Sequence, residues 1–385
     1  MKKILFLNQM AGPMFMEMAE DISLHIPGSI VYTGHSSAFE RPPVESLKIK
    51  KAPLYNRRNV VTRVLSWINY FVKALFLAVR TEKESLLFIV SNPPFLSLIG
   101  YLMNIIRKQK YIILVYDLYP DILLAFGSSE KNVFIKIWHF YNSVIYSRAS
   151  RIITIGSDMA ERLYPRVHNV PVDIVRCWAD TAIIKPIDKK NNFFAKEHNL
   201  IGKKVLLYSG NMGFTHNIEL LTDTVGLIND SLVHYLFIGD GAKRGKVEHL
   251  AGNHPDLITL LPFQSEAVLP YSMACGDIGF VTYQQGTEGC MVPSKAYYYL
   301  AAGVCLFVIG KTPNELADTI VTYDCGRVVN TNDTADLVRS ISEVVHDTQL
   351  LQKYQINARK AAESFFSRNN TGLFLDCIKK VNGEL

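Results

Sequence analysis

The segment VPSKAYYYLAAGVCLFVIG, Val292 to Gly310, decides how the chain is read. Pro293 suits the first turn of a helix and Gly303 its C-terminal stop, and the apolar run VCLFVIG begins at once. A short helix therefore feeds directly into a buried strand. Lys295 stands in the first turn of that helix, where exposed N–H groups carry a partial positive charge. A cation there is unfavourable unless an anion lies between the two. Working outward, the same kind of run recurs as KILFL, LLFIV, YIILVY, RIITI, VDIVR, KVLLYSG, YLFIGDG and DIGFVTY. Fully apolar runs separated by helical patterns are the signature of parallel strands covered on both faces.

The length of 385 residues exceeds what one hydrophobic core usually spans, so two α/β domains are expected. Half the residues are hydrophobic and a fifth are charged, which excludes disordered, collagen-like and solenoid classes. The polar, lysine-rich stretch from Ile183 to Lys204 reads as the junction, giving domains at 1–182 and 183–359. The last amphipathic stretch, Thr348 to Lys380, is helical, and its end, about 360–385, is expected to cross back onto the first domain. The six cysteines are scattered, with no CxxC pair and no Cys/His cluster at metal-ligand spacing. Small buried hydrophobes in a reducing compartment are the expected reading. The opening MKKILFLNQM has a charged start, but Asn8 and Gln9 end its apolar run, so a first strand in a cytoplasmic protein fits better than a signal peptide.

The net charge of +6 is unevenly placed. Between Arg41 and Lys83 ten Lys/Arg face two Glu, a local balance of +8, so the remainder carries −2. No nucleic-acid recognition motif accompanies these cations, and long apolar stretches lie beside them, which suits an anionic membrane surface better. In RRNVVTRVLSWINYFVKALFLAVR, Arg58, Thr62, Ser66, Asn69, Lys73 and Arg80 recur at helical spacings that stack them on one face. The remaining arc, with Trp67, Tyr70 and Phe71, is apolar and unusually wide. Two accounts stand: a core-packing helix with a solvated stripe, or a helix that also touches the membrane. In LLFIVSNPPFLSLIGYLMNII, Asn92, Pro93 and Pro94 break the pattern into a strand, a loop and a helix.

Two glycine loops each follow a strand and precede a helical pattern: YSGNMGFTHN, with Gly210, Asn211 and Gly213, and FIGDGAKRGK, with Gly239, Asp240 and Gly241. Glycine at such a turn lets the backbone approach a ligand, and the helix start behind it favours phosphate. Neither loop is GxGxxG or a Walker A sequence, and a tight βα turn explains either one alone. Their value lies in combination with Pro293, Ser294 and Lys295, because ligands of open α/β sheets bind beyond the carboxyl ends of the strands. Lys295 and Tyr298, three apart, share a helix face, and Tyr297, Leu300 and Ala301 form a packing face.

Taken together, VPSKAYYYLAAGV, CGDIGFVTY, FIGDG and YSGNMG resemble the C-terminal half of GT-B glycosyltransferases of family 4, in the branch that builds bacterial surface polysaccharides. That branch includes the L-fucosamine and N-acetylglucosamine transferases of O-antigen and capsule assembly. NQMAGP with Gly12, VSNPPFLSLIG with Asn92, VYDLYPDI with Asp117 and Asp121, and VRCWAD match the N-terminal half in order. The resemblance implies two Rossmann-like domains facing a cleft, with the nucleotide-sugar bound by the second and the acceptor by the first. It implies retention at the anomeric carbon and neither cofactor nor metal, and the chain has no convincing Asp-x-Asp element for Mg²⁺. The donor is expected to be UDP-linked, with N-acetylated amino sugars among the candidates, and the acceptor a lipid-linked glycan. Lys295 and Asp117 are the expected catalytic residues; Gly12, Asn92 and Asp121 are expected on the acceptor side. A peripheral enzyme at the inner face of the bacterial cytoplasmic membrane follows.

Two departures from the family pattern stand out. Relatives commonly carry a glutamate five residues before the glycine of AAG, whose carboxylate holds both ribose hydroxyls; here that position is Tyr298. Its usual partner eight residues earlier falls at Cys290, and Glu288 is out of register. A phenol makes one such bond or packs on the ribose. Tyr116 stands where many relatives have histidine. Asp121 reads equally as a sugar ligand or as a helix cap, and His216 as a phosphate contact or a first-turn residue. Two rival functions remain: a UDP-sugar 2-epimerase, which needs converging acid/base groups, and a non-catalytic nucleotide-sugar-binding subunit, to which the missing glutamate points.

Overall fold

A computed structural model describes residues 3–39, 42–56, 58–167, 169–228, 230–330 and 332–383. Arg41 and Arg57, two cations of the basic stretch, lie outside the described residues. The chain packs as two compact units, Met1–Arg176 with Arg368–Leu385, and Cys177–Ser367.

The first unit holds β1 (Ile4–Leu7), β2 (Ser29–Thr33), β3 (Leu47–Lys51), β4 (Leu86–Val90), β5 (Tyr111–Val115), β6 (Arg151–Thr154) and β7 (Val172–Ile174). They form one parallel sheet in the order β3-β2-β1-β4-β5-β6-β7. The second holds β8 (Lys204–Ser209), β9 (Val233–Ile238), β10 (Ile258–Leu261), β11 (Ile278–Thr282), β12 (Cys305–Ile309) and β13 (Gly326–Val329). Their order, β10-β9-β8-β11-β12-β13, is again wholly parallel. Every residue of β1, β4, β5, β9, β11 and β12 is buried, which is why those segments read as unbroken apolar runs. In each sheet the strand order reverses direction once, between β1 and β4 and between β8 and β11. Diverging loops leave a crevice at such a point, outside the carboxyl ends of the strands.

The sequence places the junction at 182/183 and the returning segment from about 360. The structure divides the chain six residues earlier at the junction, because residues 177–184 are tied to the second unit. There the Ala179 N–H donates to Phe366 O (3.2 Å), and the Arg359 guanidinium donates to the carbonyls of Thr181 and Ile184. The Thr348–Phe365 helix stays with that unit, and the Thr371–Asn382 helix belongs to the first. Arg368 donates to both carboxylate oxygens of Asp21 (2.9 and 2.6 Å), Thr371 Oγ1 donates to the same carboxylate, and the Phe374 ring lies 6.2 Å from that of Phe88.

The Val60–Arg80 helix begins with a capping box in which Asn59 and Thr62 exchange hydrogen bonds. Its orientation differs from the core-packing account. Only Ser66, Tyr70, Ala74 and Ala78 are buried, so Ser66, expected in a solvated polar stripe, faces inward, and most of the wide apolar arc faces outward.

Phe374 is 1 % exposed and its neighbour Leu373 is 48 % exposed. Phe374→Ala should therefore cost about 3–5 kcal/mol, read as a lower urea midpoint, whereas Leu373→Ala should leave the midpoint nearly unchanged.

Candidate functional site

In the second unit the two glycine loops leave β8 and β9 side by side and are clamped together by backbone bonds. Gly210 N–H donates to Ile238 O (2.8 Å), Met212 N–H to Asp240 O (2.8 Å), and Lys243 N–H to Met212 O (2.9 Å). Gly239, at φ +139°, sits where a Cβ would lie 2.0 Å from Gly210 O. Gly210, at φ +138°, faces Lys295, and a Cβ on it would stand 3.1 Å from the lysine Cε. Only glycine lets these backbones and the lysine stem share that space. Asp240 Oδ1 accepts from Gly241 N–H (2.7 Å), and the Asn211 amide closes over Gly213. The structure thus brings Gly210, Asn211, Gly213, Gly239, Asp240, Gly241 and Lys295 together at the β8/β11 crevice.

Lys295 opens the Lys295–Ala301 helix, directly after Pro293 and Ser294. Its stem is partly exposed, but Nζ is turned inward and has no hydrogen-bond partner. The ammonium lies 3.6 Å from the centre of the Tyr208 ring, and burial pushes its pKa well below the ordinary lysine range. A cation–π contact contributes about 0.5–2 kcal/mol. Burying an ion costs several kcal/mol even after relaxation, so the contact does not compensate the charge. His216 is buried beside it. Its Nδ1 faces Thr282 O at 2.9 Å, which fixes the proton on that nitrogen, and burial followed by the Lys295 charge push its pKa down to about 3. A neutral imidazole adds no charge to balance the lysine.

The tyrosines of the helix divide unequally. Tyr297 and Tyr299 are fully buried, and Tyr298 is half-buried. Tyr297 packs 5.2 Å from Phe366. The Tyr299 hydroxyl accepts from Ser209 N–H (2.7 Å), so this residue both packs and pins the end of β8 next to the glycine loop. Cys290 is buried, and the Glu288 carboxylate accepts from the N–H groups of Gly286 (2.7 Å) and Lys311 (2.9 Å).

In the first unit Gly12 follows β1, Asn92 follows β4 and Asp117 follows β5, so all three stand at the carboxyl ends of adjacent strands. Gly12 caps the Pro13–His25 helix, and a Cβ on it would meet nothing within 4 Å. Ser91 Oγ accepts from the N–H groups of Tyr116 (3.1 Å) and Asp117 (3.4 Å), which holds the ends of β4 and β5 together. Burial raises the Asp117 carboxyl from its ordinary 3.8 to about 6. Asp121 is different. It begins the Asp121–Leu124 helix without capping it, is 2 % exposed, and accepts from both terminal nitrogens of Arg166 at 2.7 Å. It does not cap that helix; the carboxylate is half of a fork-shaped ion pair.

Two residues at the second site were not legible as such: Tyr208, whose ring face carries the lysine, and Tyr299, whose hydroxyl holds the loop. Tyr208 lies within a strand run, and the only available signal was the Lys295/Tyr299 spacing of four, which places both on one face.

No protein-family model matches the chain. Over 317 residues it is 27% identical to a Pseudomonas aeruginosa protein named as a probable glycosyltransferase, WbjE, covering 80% of this chain and 79% of that one. Over 170 residues it is 26% identical to Escherichia coli K12 WcaI, named for glycosyl transfer in colanic acid biosynthesis, covering 44% and 41%. Among solved structures, Anabaena HepE in complex with UDP and glucose superposes with a TM-score of 0.74 at 14% identity, over the whole of both chains. WaaG, a glycosyltransferase involved in lipopolysaccharide biosynthesis, gives 0.73 at 13% identity, over 97% and 99%.

Gly239→Ala should lower the melting temperature by several degrees, since its Cβ meets a backbone carbonyl at positive φ. Gly245→Ala, in the Arg244–Asn253 helix with open space around the new methyl, should leave it unchanged or raised. Equal losses in the two variants would contradict the steric account. Two parallel-sheet α/β units with these neighbours give the chain the GT-B fold, and its sequence relatives support a glycosyltransferase.

Proposed function

We propose that the chain is a retaining, metal-independent glycosyltransferase of family 4. It moves a sugar, with N-acetylated amino sugars among the candidates, from a UDP-linked donor to a lipid-linked glycan. The setting is surface-polysaccharide synthesis at the inner face of the bacterial cytoplasmic membrane, where the basic region 41–83 meets anionic lipid. The observation that carries this reading is Lys295: a buried ammonium without a hydrogen-bond partner, facing two clamped glycine loops at the β8/β11 crevice. A diphosphate there supplies the missing counter-charge, and in a site closed to water each such contact is worth far more than in solution. HepE, bound to UDP, has the same fold.

In this reading Lys295 and the Gly210–Gly213 loop stabilise the leaving diphosphate, with the Gly239–Gly241 loop behind them and Tyr298 beside the ribose. In a retaining transfer without a protein nucleophile, the leaving phosphate oxygen takes the acceptor proton on the same face. The protein's task is then to hold the diphosphate and orient the sugars. Asp117, with Gly12 and Asn92 on the same strand ends, serves the sugar or acceptor side. Asp121 is left out of that set because of its pair with Arg166.

Lys295→Ala should lower turnover at least about tenfold, the minimum expected for one such electrostatic contact. Anion binding favours the charged lysine, so UDP affinity, measured calorimetrically, should rise as pH falls through its depressed pKa. Lys295→Met should lose that dependence; normal turnover and an unchanged pH profile in these variants would place the phosphate elsewhere.

Asp117 gives a second test with opposite signs for activity and stability. Because folding raises its pKa from 3.8 to about 6, the folded state holds the proton more tightly, and ionisation costs stability as pH rises through that window. Asp117→Asn should therefore raise the melting temperature at pH 8 while lowering turnover and removing the acid limb near pH 6. A variant with normal turnover would assign Asp117 to structure alone.

A further inference from the structure

The Val60–Arg80 helix is built the wrong way round for a soluble domain. Its inward residues Ser66, Tyr70, Ala74 and Ala78 repeat every four positions and are mostly small. Its outward stripe is Val61, Leu65, Ile68, Val72, Phe76 and Val79, each between 50 % and 67 % exposed. At about 100° per residue these six fall within roughly 80° of one another, opposite the buried set. Surface leucines and valines scattered singly need no explanation, but a continuous stripe along a 21-residue helix does. The Leu98–Arg107 helix packed beside it also carries exposed Ile105 and Ile106.

Charge surrounds this stripe in a particular way. Beside the C-terminal half of the helix lies a groove of about 600 Å³ bordered by Lys3, Lys50, Lys51, Lys73, Phe76 and Arg80. Lys3 is paired with Glu82 at 2.8 Å. Among the described residues no carboxylate lies within 4.0 Å of Lys50, Lys51, Lys73 or Arg80, and the Arg80 guanidinium instead lies 3.7 Å from the centre of the Phe76 ring. The groove therefore joins uncompensated cations directly to the apolar stripe.

By length and composition the helix is also long and apolar enough to cross a bilayer. Its inner face forbids that. Tyr70 stacks on Tyr32 at 5.3 Å, and its hydroxyl donates to Tyr32 O (2.8 Å), which fastens the helix to β2. A helix fastened along one side can lie only in the membrane plane. Nucleic acid would match the cations and leave the stripe unexplained.

We infer that this helix is an interfacial anchor: the Val61–Val79 stripe enters the acyl boundary of an anionic leaflet, and the adjoining groove takes a phospholipid phosphate headgroup. The inference gives the proposed lipid-linked acceptor a surface to reach the enzyme from, but its test needs no acceptor. The full chain is floated with vesicles of phosphatidylcholine alone or mixed with phosphatidylglycerol. Wild type should bind the mixed vesicles, and Val72→Ser/Phe76→Ser, changing exposed positions, should lose at least about tenfold in affinity. Lys50→Glu/Lys73→Glu should lose about tenfold or more on mixed vesicles, at roughly a factor of five per cation near the surface, and lose little on neutral ones. Millimolar inorganic diphosphate should not release the protein. Wild-type affinity in either variant, no vesicle binding at all, or full release by diphosphate would overturn the inference. A UDP thermal shift, run alongside, reads the donor site: shifts retained in both variants confirm that the anchor alone has been changed. Absence of the shift in wild type would strike the donor reading and leave the vesicle result standing.

Discussion

The ammonium of Lys295 is the constraint around which the second unit is arranged. A buried charge is retained in a protein only when something offsets its desolvation, and here the Tyr208 ring offsets a fraction. The other local choices bring no anion to it. His216 is held neutral, and Glu288, the nearest acid in sequence, satisfies two backbone N–H groups. The unfavourable state is maintained by the surrounding scaffold. Tyr299 fixes the end of β8, and the two glycine loops are bonded to each other at a separation no side chain would allow. If a diphosphate binds here, as proposed above, positioning the cation beforehand shifts the organisational cost from binding to folding, which is how electrostatic preorganisation works.

The first unit repeats that logic with the sign reversed. Asp117 is a carboxylate whose charge is disfavoured by burial at the end of β5, where the backbone is anchored through Ser91. Asp121, four residues on, shows the contrast: the same residue type, 2 % exposed, is held by both terminal nitrogens of Arg166. Two aspartates in one short motif thus differ in their surroundings, because one faces the Arg166 guanidinium and the other, among the described residues, has no ion-pair partner. Perturbed groups of this kind concentrate at working sites, although structural ion pairs perturb too, so the partner decides the assignment.

How much of this was legible follows from where each signal resides. The nine apolar runs are all strands, because parallel strands buried on both faces, as all of these but β7 largely are, write their position directly into composition. β3, β10 and β13 escaped because LKIKK, ITLL and GRVV are partly exposed and interrupted by polar residues or glycine, whereas the edge strand β7 was still read from VDIVR. β2 escaped because Ser29 and Thr33 bracket a run of only three. At the site, the glycines and Lys295 could be read because strand-turn-helix order fixes where such residues must lie. The Asp121–Arg166 pair spans 45 positions and the Tyr299–Ser209 bond spans 90, and no local pattern records either.

The Val60–Arg80 helix shows why pattern alone leaves such a question open. Periodicity established that the helix has two kinds of face, but an amphipathic pattern reads the same whether the apolar side points in or out. What breaks the symmetry is volume. The residues at the inner positions are small apart from one tyrosine, namely Ser66, Ala74 and Ala78 with Tyr70, and the larger Val, Leu, Ile and Phe side chains are left outside. In water that arrangement forfeits the burial that normally holds a helix in place. On the inference of an interfacial anchor, that apolar surface is recovered from the acyl boundary, and the cations bordering the stripe favour a leaflet carrying negative charge.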